Sequence, residues 1–245
     1  ITTGLPRWMG AVAVAVIVGV VVAAGGMRSI TFVQAFQYWL KLSAVAAPVV
    51  FILLLQPDNS IDAAAIGEAF PPFAVADADT LYRTISLLVA LLLGTLGLPH
   101  VLVRFYTNPD GAAARRTTII VLALLGVFYV FPIAVGMLGR VFMPELAAGD
   151  ADALLLLLPQ QMLPSPYAEA VTALVIAGAF AAFLSTTSGL VVSLAGVISQ
   201  ELFAGSVRGF RLSALACVVV PLAVAGLTAS AGLAGSVGLV FAFTA

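Results

Sequence analysis

The chain has 245 residues, of which 62% are hydrophobic and only 9% are charged, and its mean hydropathy is +1.18. A soluble domain of this length needs far more charged surface, so the composition excludes an ordinary soluble protein and indicates a membrane protein. The net charge of −1 gives no sign of a nucleic-acid partner, and a single cysteine, Cys217, excludes disulfide frameworks and CxxC metal motifs.

Six apolar stretches are each long enough to cross a bilayer as a helix. About 20 residues, rising 1.5 Å each, cross the ~30 Å hydrocarbon core, whereas membrane strands would be ~10 residues long and alternate in polarity. The stretches are continuous and therefore predict an all-α, polytopic membrane helix bundle. The predicted spans are Trp8–Ala24, Thr31–Leu55, Leu81–Val103, Thr117–Val141, Tyr167–Gln200 and Leu212–Leu227, with a truncated seventh beginning near Leu233.

The two ends of the chain predict an internal fragment. The sequence begins at Ile1, without the basic segment and short apolar core of a signal peptide, and stops at Ala245 inside an apolar run. We expect residues 1–245 to form a single transmembrane domain. Its expected partners are the lipid bilayer and the N- and C-terminal helices of the same protein that the fragment lacks.

The arginines orient the predicted spans. Cytoplasmic loops of membrane proteins carry an excess of Lys and Arg, and here alternate loops differ in their arginine content. The richer set is expected in the cytoplasm, which places residue 1 outside and predicts a multi-pass protein of the plasma (inner) membrane. The inner set is Arg28, Arg104, Arg115, Arg116, Arg208 and Arg211, and the outer set is Arg7, Arg83 and Arg140.

Polar residues stand out in the second predicted span. Gly25-Gly26 predicts the end of the span before it. Gln34 and Gln37 precede Lys41 by two turns and one turn, on about the same helix face. An unpaired lysine in lipid costs about 3 kcal/mol on insertion scales, so Lys41 is expected to face the bundle. Lys41 either pairs with a structural partner or has a functional role, and the sequence favours neither alternative.

The third predicted span is interrupted at Gly97–His100. Glycines and a proline break the helical hydrogen-bond ladder, and backbone freed at membrane depth survives only beside a cavity or other protein. A substrate path and a simple kink at Pro99 are the two alternatives. His100, the only histidine, is either a proton carrier or substrate donor or a buried, satisfied side chain near the inner interface.

Two predicted loops contain sequence patterns for local structure. The sequence Asn108–Gly111 predicts a turn before the next helix. Further on, Asp150 or Asp152 is expected to cap a short helix through Leu154–Leu158 that Pro159 ends.

A cluster of hydroxyls lies in the fifth predicted span. Ala182, Ser185, Thr186, Gly189 and Ser193 follow helical spacing and share one face near mid-membrane. Hydroxyl and carbonyl oxygens are hard ligands that suit Na⁺. The alternative is a small-residue stripe for close helix packing, with hydroxyls bonded to the carbonyl four residues earlier. No enzyme is predicted, because HExxH and GxSxG motifs and clustered catalytic side chains are absent from the sequence.

Three motifs taken together resemble the sodium/solute symporter family. They are GGM at 25–27 followed by TFVQAFQ at 31–37, GLPHVLVRF at 97–105, and the segment from Ala179-Phe180 to Ser199-Gln200-Glu201-Leu202. The second motif is especially similar to the cation/acetate (monocarboxylate) permease branch. The resemblance implies a LeuT-like fold of two inverted five-helix repeats around a midplane site. It also implies Na⁺-driven uptake of a small organic anion such as acetate or another short monocarboxylate.

The resemblance also implies site residues. The backbone carbonyl of Ala182 and the hydroxyls of Ser185 and Thr186 match Na⁺-ligating positions, and the remaining ligands lie on a core helix that this chain lacks. Gln34 stands where many members carry an Asp on the ion exit route, and H⁺ remains open as the coupling ion. The alternative function is a transporter-like membrane sensor module of a signalling protein. The candidate substrate path comprises Gly97, Pro99, His100, Gln34 and Lys41.

Overall fold

All regular elements in the described part of the chain are helices. The computed structural model describes residues 7–55, 77–97, 108–149 and 151–227. In chain order the elements are α1 (Arg7–Leu55), α2 (Ala78–Gly97), α3 (Gly111–Phe142), α4 (Pro144–Gly149), a 3₁₀ turn (Ala151–Ala153), α5 (Leu154–Met162), α6 (Tyr167–Phe203) and α7 (Val207–Leu227).

Four of these helices contain segments that are long and apolar enough to cross a membrane. The prediction of an all-α, polytopic membrane bundle is therefore confirmed. The predicted spans and the observed helices agree within a few residues at several ends, such as Tyr167 and Leu55, while the predicted end at Val103 lies outside the described residues. The four segments are Ile30–Leu55, Ala78–Thr95, Gly111–Phe142 and Tyr167–Phe203.

The predicted helix end at Gly25-Gly26 is wrong. A single helix of 49 residues, α1, runs from Arg7 to Leu55 and joins the first two predicted spans, so Arg28 lies within a helix rather than in a loop. Each glycine inside a helix costs about 1 kcal/mol relative to alanine, so the pair costs about 2 kcal/mol. That cost is too small to end a helix whose apolar segments, Met9–Ala23 and Ile30–Leu55, continue on both sides.

Aspartate side chains accept hydrogen bonds from the first turns of two helices. Asp110 caps α3, because its carboxylate accepts a hydrogen bond of 2.7 Å from the Ala113 backbone N–H, and the turn predicted at Asn108–Gly111 is confirmed. Asp77 precedes α2 and accepts a hydrogen bond of 3.2 Å from the Thr80 backbone N–H. Hydrogen bonds from the side chain and backbone of Thr80 lower the pKa of the Asp77 carboxyl.

The short helix α5 is longer than predicted. Its N-cap position is Ala153, which follows a 3₁₀ turn. Asp150 and the side chain of Asp152, which were predicted to cap this helix, lie outside the described residues. The predicted end at Pro159 is wrong, because the helix continues to Met162. Pro159 removes one internal hydrogen bond, and the burial of its ring offsets that loss.

The chain divides into two compact units, each with its own core. Unit one comprises 1–37, 86–108 and 182–245, and unit two comprises 38–85 and 109–181. In unit one, α1, α6 and α7 contribute the buried residues Val18, Val22, Ile30, Val191, Val192, Ala195, Ala214 and Cys217. In unit two the core contains Val49, Ile52, Val135, Leu138, Met143, Leu154, Leu158, Leu163, Ala168, Val171 and Val175.

Within unit two, close helix packing depends on two glycines. A Cβ atom at Gly139 of α3 would lie 2.6 Å from Cδ2 of Leu154, so this glycine makes room for the first leucine of α5. A Cβ atom at Gly178 of α6 would overlap the Cβ atom of Ala44 on α1. The absent side chain at Gly178 therefore lets the backbones of α1 and α6 approach closely.

Candidate functional site

The hydroxyl cluster lies at the middle of α6. Ser185 is midway between the helix ends, Tyr167 and Phe203, so in a helix that crosses the bilayer it falls near the centre of the hydrocarbon core. Its side chain is buried, that of Ala182 is half-buried, and that of Thr186 is exposed. The predicted cation positions therefore lie along the edge of the buried face of α6, with Ser185 turned inward and Thr186 turned outward.

A hydrogen bond joins two of the predicted site residues. The side-chain Nε2 of Gln34 on α1 donates to the backbone carbonyl of Ser185 on α6, at 2.9 Å and within unit one. A helix carbonyl already accepts one bond from the residue four positions later, so the Gln34 amide occupies its second lone pair. The carbonyl of Ser185 is then fully used.

Two other hydroxyls of α6 behave as the packing alternative predicts. The Ser188 hydroxyl donates to the carbonyl of Leu184 at 2.6 Å, and the Ser193 hydroxyl donates to the carbonyl of Gly189 at 3.0 Å. Bonds of this kind, four residues back, satisfy a hydroxyl inside its own helix. The packing explanation therefore accounts for Ser188 and Ser193. Ser185 has a further interaction partner of its own, so its assignment to a cation site, like that of Thr186, stays a prediction.

The remaining predicted path residues are not brought together by the described structure. Lys41 is half-buried on α1, as expected of a lysine that faces protein, and it has an interaction partner. Gly97 is the last residue of α2. Pro99 and His100 lie outside the described residues. The predicted break at Gly97–His100 therefore stays a prediction.

Gln37 is not among the predicted site residues. It is a buried polar residue of α1, with 8% of its surface exposed, and lies three residues after Gln34. Its signal in the sequence was this spacing, which puts two carboxamides on one side of an apolar helix. Burial cannot be derived from spacing alone, because it depends on which helices pack against α1.

The chain is similar to known transporters along most of its length. It is 29% identical over 243 residues to the monocarboxylic acid transporter of Corynebacterium glutamicum, a match that covers 84% of this chain and 43% of the relative. It is 33% identical over 126 residues to the uncharacterized symporter YwcA of Bacillus subtilis, covering 51% of this chain and 25% of the relative. The chain thus spans less than half the length of these curated relatives.

The family model agrees with these similarities. No solved structure matches the chain significantly. The model of the sodium:solute symporter family matches residues 1–224. That match covers nearly all of the described helices, including α6 with Ser185. The chain therefore belongs to the sodium:solute symporter family, whose members are membrane transporters and not enzymes.

Proposed function

We propose that the complete protein is a secondary transporter of the plasma membrane that couples Na⁺ entry to the uptake of a small organic anion, such as acetate or another short monocarboxylate. The observation that carries the proposal is the buried Ser185 at the centre of α6, held against α1 by the Gln34 hydrogen bond. Family membership supports the Na⁺ coupling. The relative named a monocarboxylic acid transporter supports the class of solute.

In this proposal α6 supplies part of the cation site. The Ala182 carbonyl and the hydroxyls of Ser185 and Thr186 provide neutral, hard oxygens, the donor type that suits an alkali cation. A Na⁺ ion must replace its water shell with several oxygens, and three from one helix are too few. Further ligands come from other helices, in a LeuT-like arrangement of inverted repeats. Thr186 is exposed on α6 and is free to face one of them.

The solute needs different chemistry from the cation. A carboxylate accepts hydrogen bonds and favours a positive charge, so donors and helix N-termini are expected around it. Lys41 and His100 are the candidate donors, and irregular backbone is predicted at Gly97 and Pro99. Together with Gln34 they remain the predicted substrate-path residues. Binding of the cation then strengthens binding of the anion, and coupling between two sites acts equally in both directions.

Uptake by the complete protein in proteoliposomes tests this function. Labelled acetate should accumulate when Na⁺ is higher outside, and accumulation should disappear when K⁺ replaces Na⁺ on both sides. A pH gradient without Na⁺ provides the control for H⁺ coupling, and accumulation under that condition alone would contradict the choice of ion. A membrane sensor that lacks transport would accumulate no acetate under any gradient.

The proposed orientation predicts which loops cysteine reagents reach. In a Cys217→Ser background, a single cysteine at Asn59 should react with an impermeant reagent added outside, whereas one at Ala112 should react only after permeabilisation. The physical reason is the arginine content of the loops, including Arg115 and Arg116 beside Ala112. Labelling of both positions from outside would contradict this orientation.

A further inference from the structure

Gln37 of α1 holds a buried oxygen without a hydrogen-bond donor. The residue is 8% exposed, and among the residues that the structure describes nothing donates to its Oε1 atom. An unpaired buried oxygen is unfavourable, and native proteins leave few of them. This oxygen therefore indicates a binding partner that the described residues do not supply.

The position of Gln37 follows from the packing of unit one. Gln34 contacts Ser185, and earlier residues of α1, such as Val22, share a core with later residues of α6, such as Ala195. The two helices are therefore antiparallel there. Moving three residues along α1 advances about 4.5 Å. The same step backwards along α6 leads from Ser185 to Ala182, so Gln37 lies near the level of Ala182.

The chemistry of a carboxamide oxygen selects the kind of partner. It is a neutral, hard acceptor, like the backbone carbonyls that coordinate alkali cations in transporters. A carboxylate solute also presents acceptor oxygens and would be repelled by it. A cation bound near Ala182 would instead be attracted by this oxygen and would satisfy it.

We propose that Oε1 of Gln37 is a further ligand of the transported cation, beside the Ala182 carbonyl. This inference rests on the proposed function and adds an oxygen from α1 to those of α6. The Gln34 side chain then has a positioning role, because its bond to the Ser185 carbonyl holds α1 and α6 in register at this level.

Two variants of the complete protein test the ligand. Gln37→Leu removes the oxygen and should raise the Na⁺ concentration that half-saturates acetate uptake about 5- to 150-fold, by analogy with the loss of one buried polar contact. Na⁺ should likewise lose its ability to raise the melting temperature of the purified protein, because a ligand stabilises only the form that binds it. Gln37→Glu should strengthen Na⁺ binding at neutral pH, and the gain should vanish as the carboxylate is protonated.

Thr172 offers a matched control. It is also a buried polar residue, 6% exposed, and its Oγ1 atom has no hydrogen-bond partner in the described part of the chain. Thr172→Val removes that unpaired hydroxyl, which lies ten residues before Ala182 on α6. It should leave the Na⁺ dependence unchanged, which separates loss of a ligand from the general effect of removing a buried polar group.

Failure of this inference differs from failure of the proposed function. If Gln37→Leu keeps the wild-type Na⁺ dependence while Ser185→Ala weakens it, Gln37 is not a ligand and the proposed function stands. If the wild-type protein transports without Na⁺, both proposals are overturned. If Gln37→Leu does not reach the membrane, the test rests on Gln37→Glu. A Na⁺ affinity of Gln37→Glu equal to that of the wild type would then contradict the inference.

Discussion

Ser185→Ala and Thr186→Val are each expected to weaken Na⁺ binding by the complete protein. In the proposed cation site each removes one oxygen ligand from an ion that needs several, and a buried polar contact left unmade costs about 1–3 kcal/mol. The Na⁺ concentration for half-maximal uptake should rise about 5- to 150-fold, since 1.4 kcal/mol corresponds to a factor of ten. Acetate binding should weaken in parallel because the coupling is reciprocal. Uptake measured against Na⁺ concentration checks both effects.

The control for these variants lies on the same helix. Thr187→Val removes a half-buried hydroxyl about 100° further round α6, and Ser193→Ala removes a hydroxyl that is already bonded to the Gly189 carbonyl. Both should keep near-wild-type Na⁺ dependence, and all variants should reach the membrane in similar amounts. Equal Na⁺ dependence in every variant would make the cluster a packing feature and place the ion elsewhere.

Gly178→Ala is expected to destabilise the protein. The new Cβ atom would overlap the Cβ atom of Ala44 and lie 3.6 Å from the carbonyl oxygen of Leu40. Ala44 is 2% exposed and has no longer side chain to turn away, so α1 and α6 must separate. Overpacking costs about 1–3 kcal/mol. The melting temperature of the purified protein should fall, and Gly178→Leu should lower it further.

Gly196→Ala is the matched control for this packing prediction. It makes the same change on α6, but nothing lies within 4 Å of a Cβ atom added there. Alanine is the better helix former by about 1 kcal/mol, so this variant should be as stable as the wild type or slightly more stable. If both variants melt like the wild type, close packing at Gly178 does not contribute to stability.

Hydrophobicity was enough to predict the helical class and most span positions. A long apolar run has few alternatives in a bilayer, because a helix satisfies its own backbone hydrogen bonds. Local signals were less reliable at helix ends. Gly25-Gly26 does not end α1, and Pro159 does not end α5. In both places the cost of the unfavourable residues is smaller than the gain from continuing an apolar helix.

The candidate site was only partly predictable from the sequence, because the burial of its side chains depends on which helices pack together. Helical spacing placed Ala182, Ser185 and Thr186 on one stripe, but it could not show that Ser185 is buried and Thr186 exposed. Those differences follow from the packing of α1 against α6. The same packing joins Gln34 to the Ser185 carbonyl across 151 positions of sequence and buries Gln37 one turn away.

Simultaneous measurement of Na⁺ and solute flux tests the central proposal most directly. Proteoliposomes that contain the complete protein would receive labelled Na⁺ outside, with and without acetate, at a fixed pH and membrane potential. Coupled transport predicts that acetate accelerates Na⁺ entry and that Na⁺ accelerates acetate entry, with both effects lost in Ser185→Ala. Acetate entry that leaves the Na⁺ flux unchanged would contradict Na⁺ coupling.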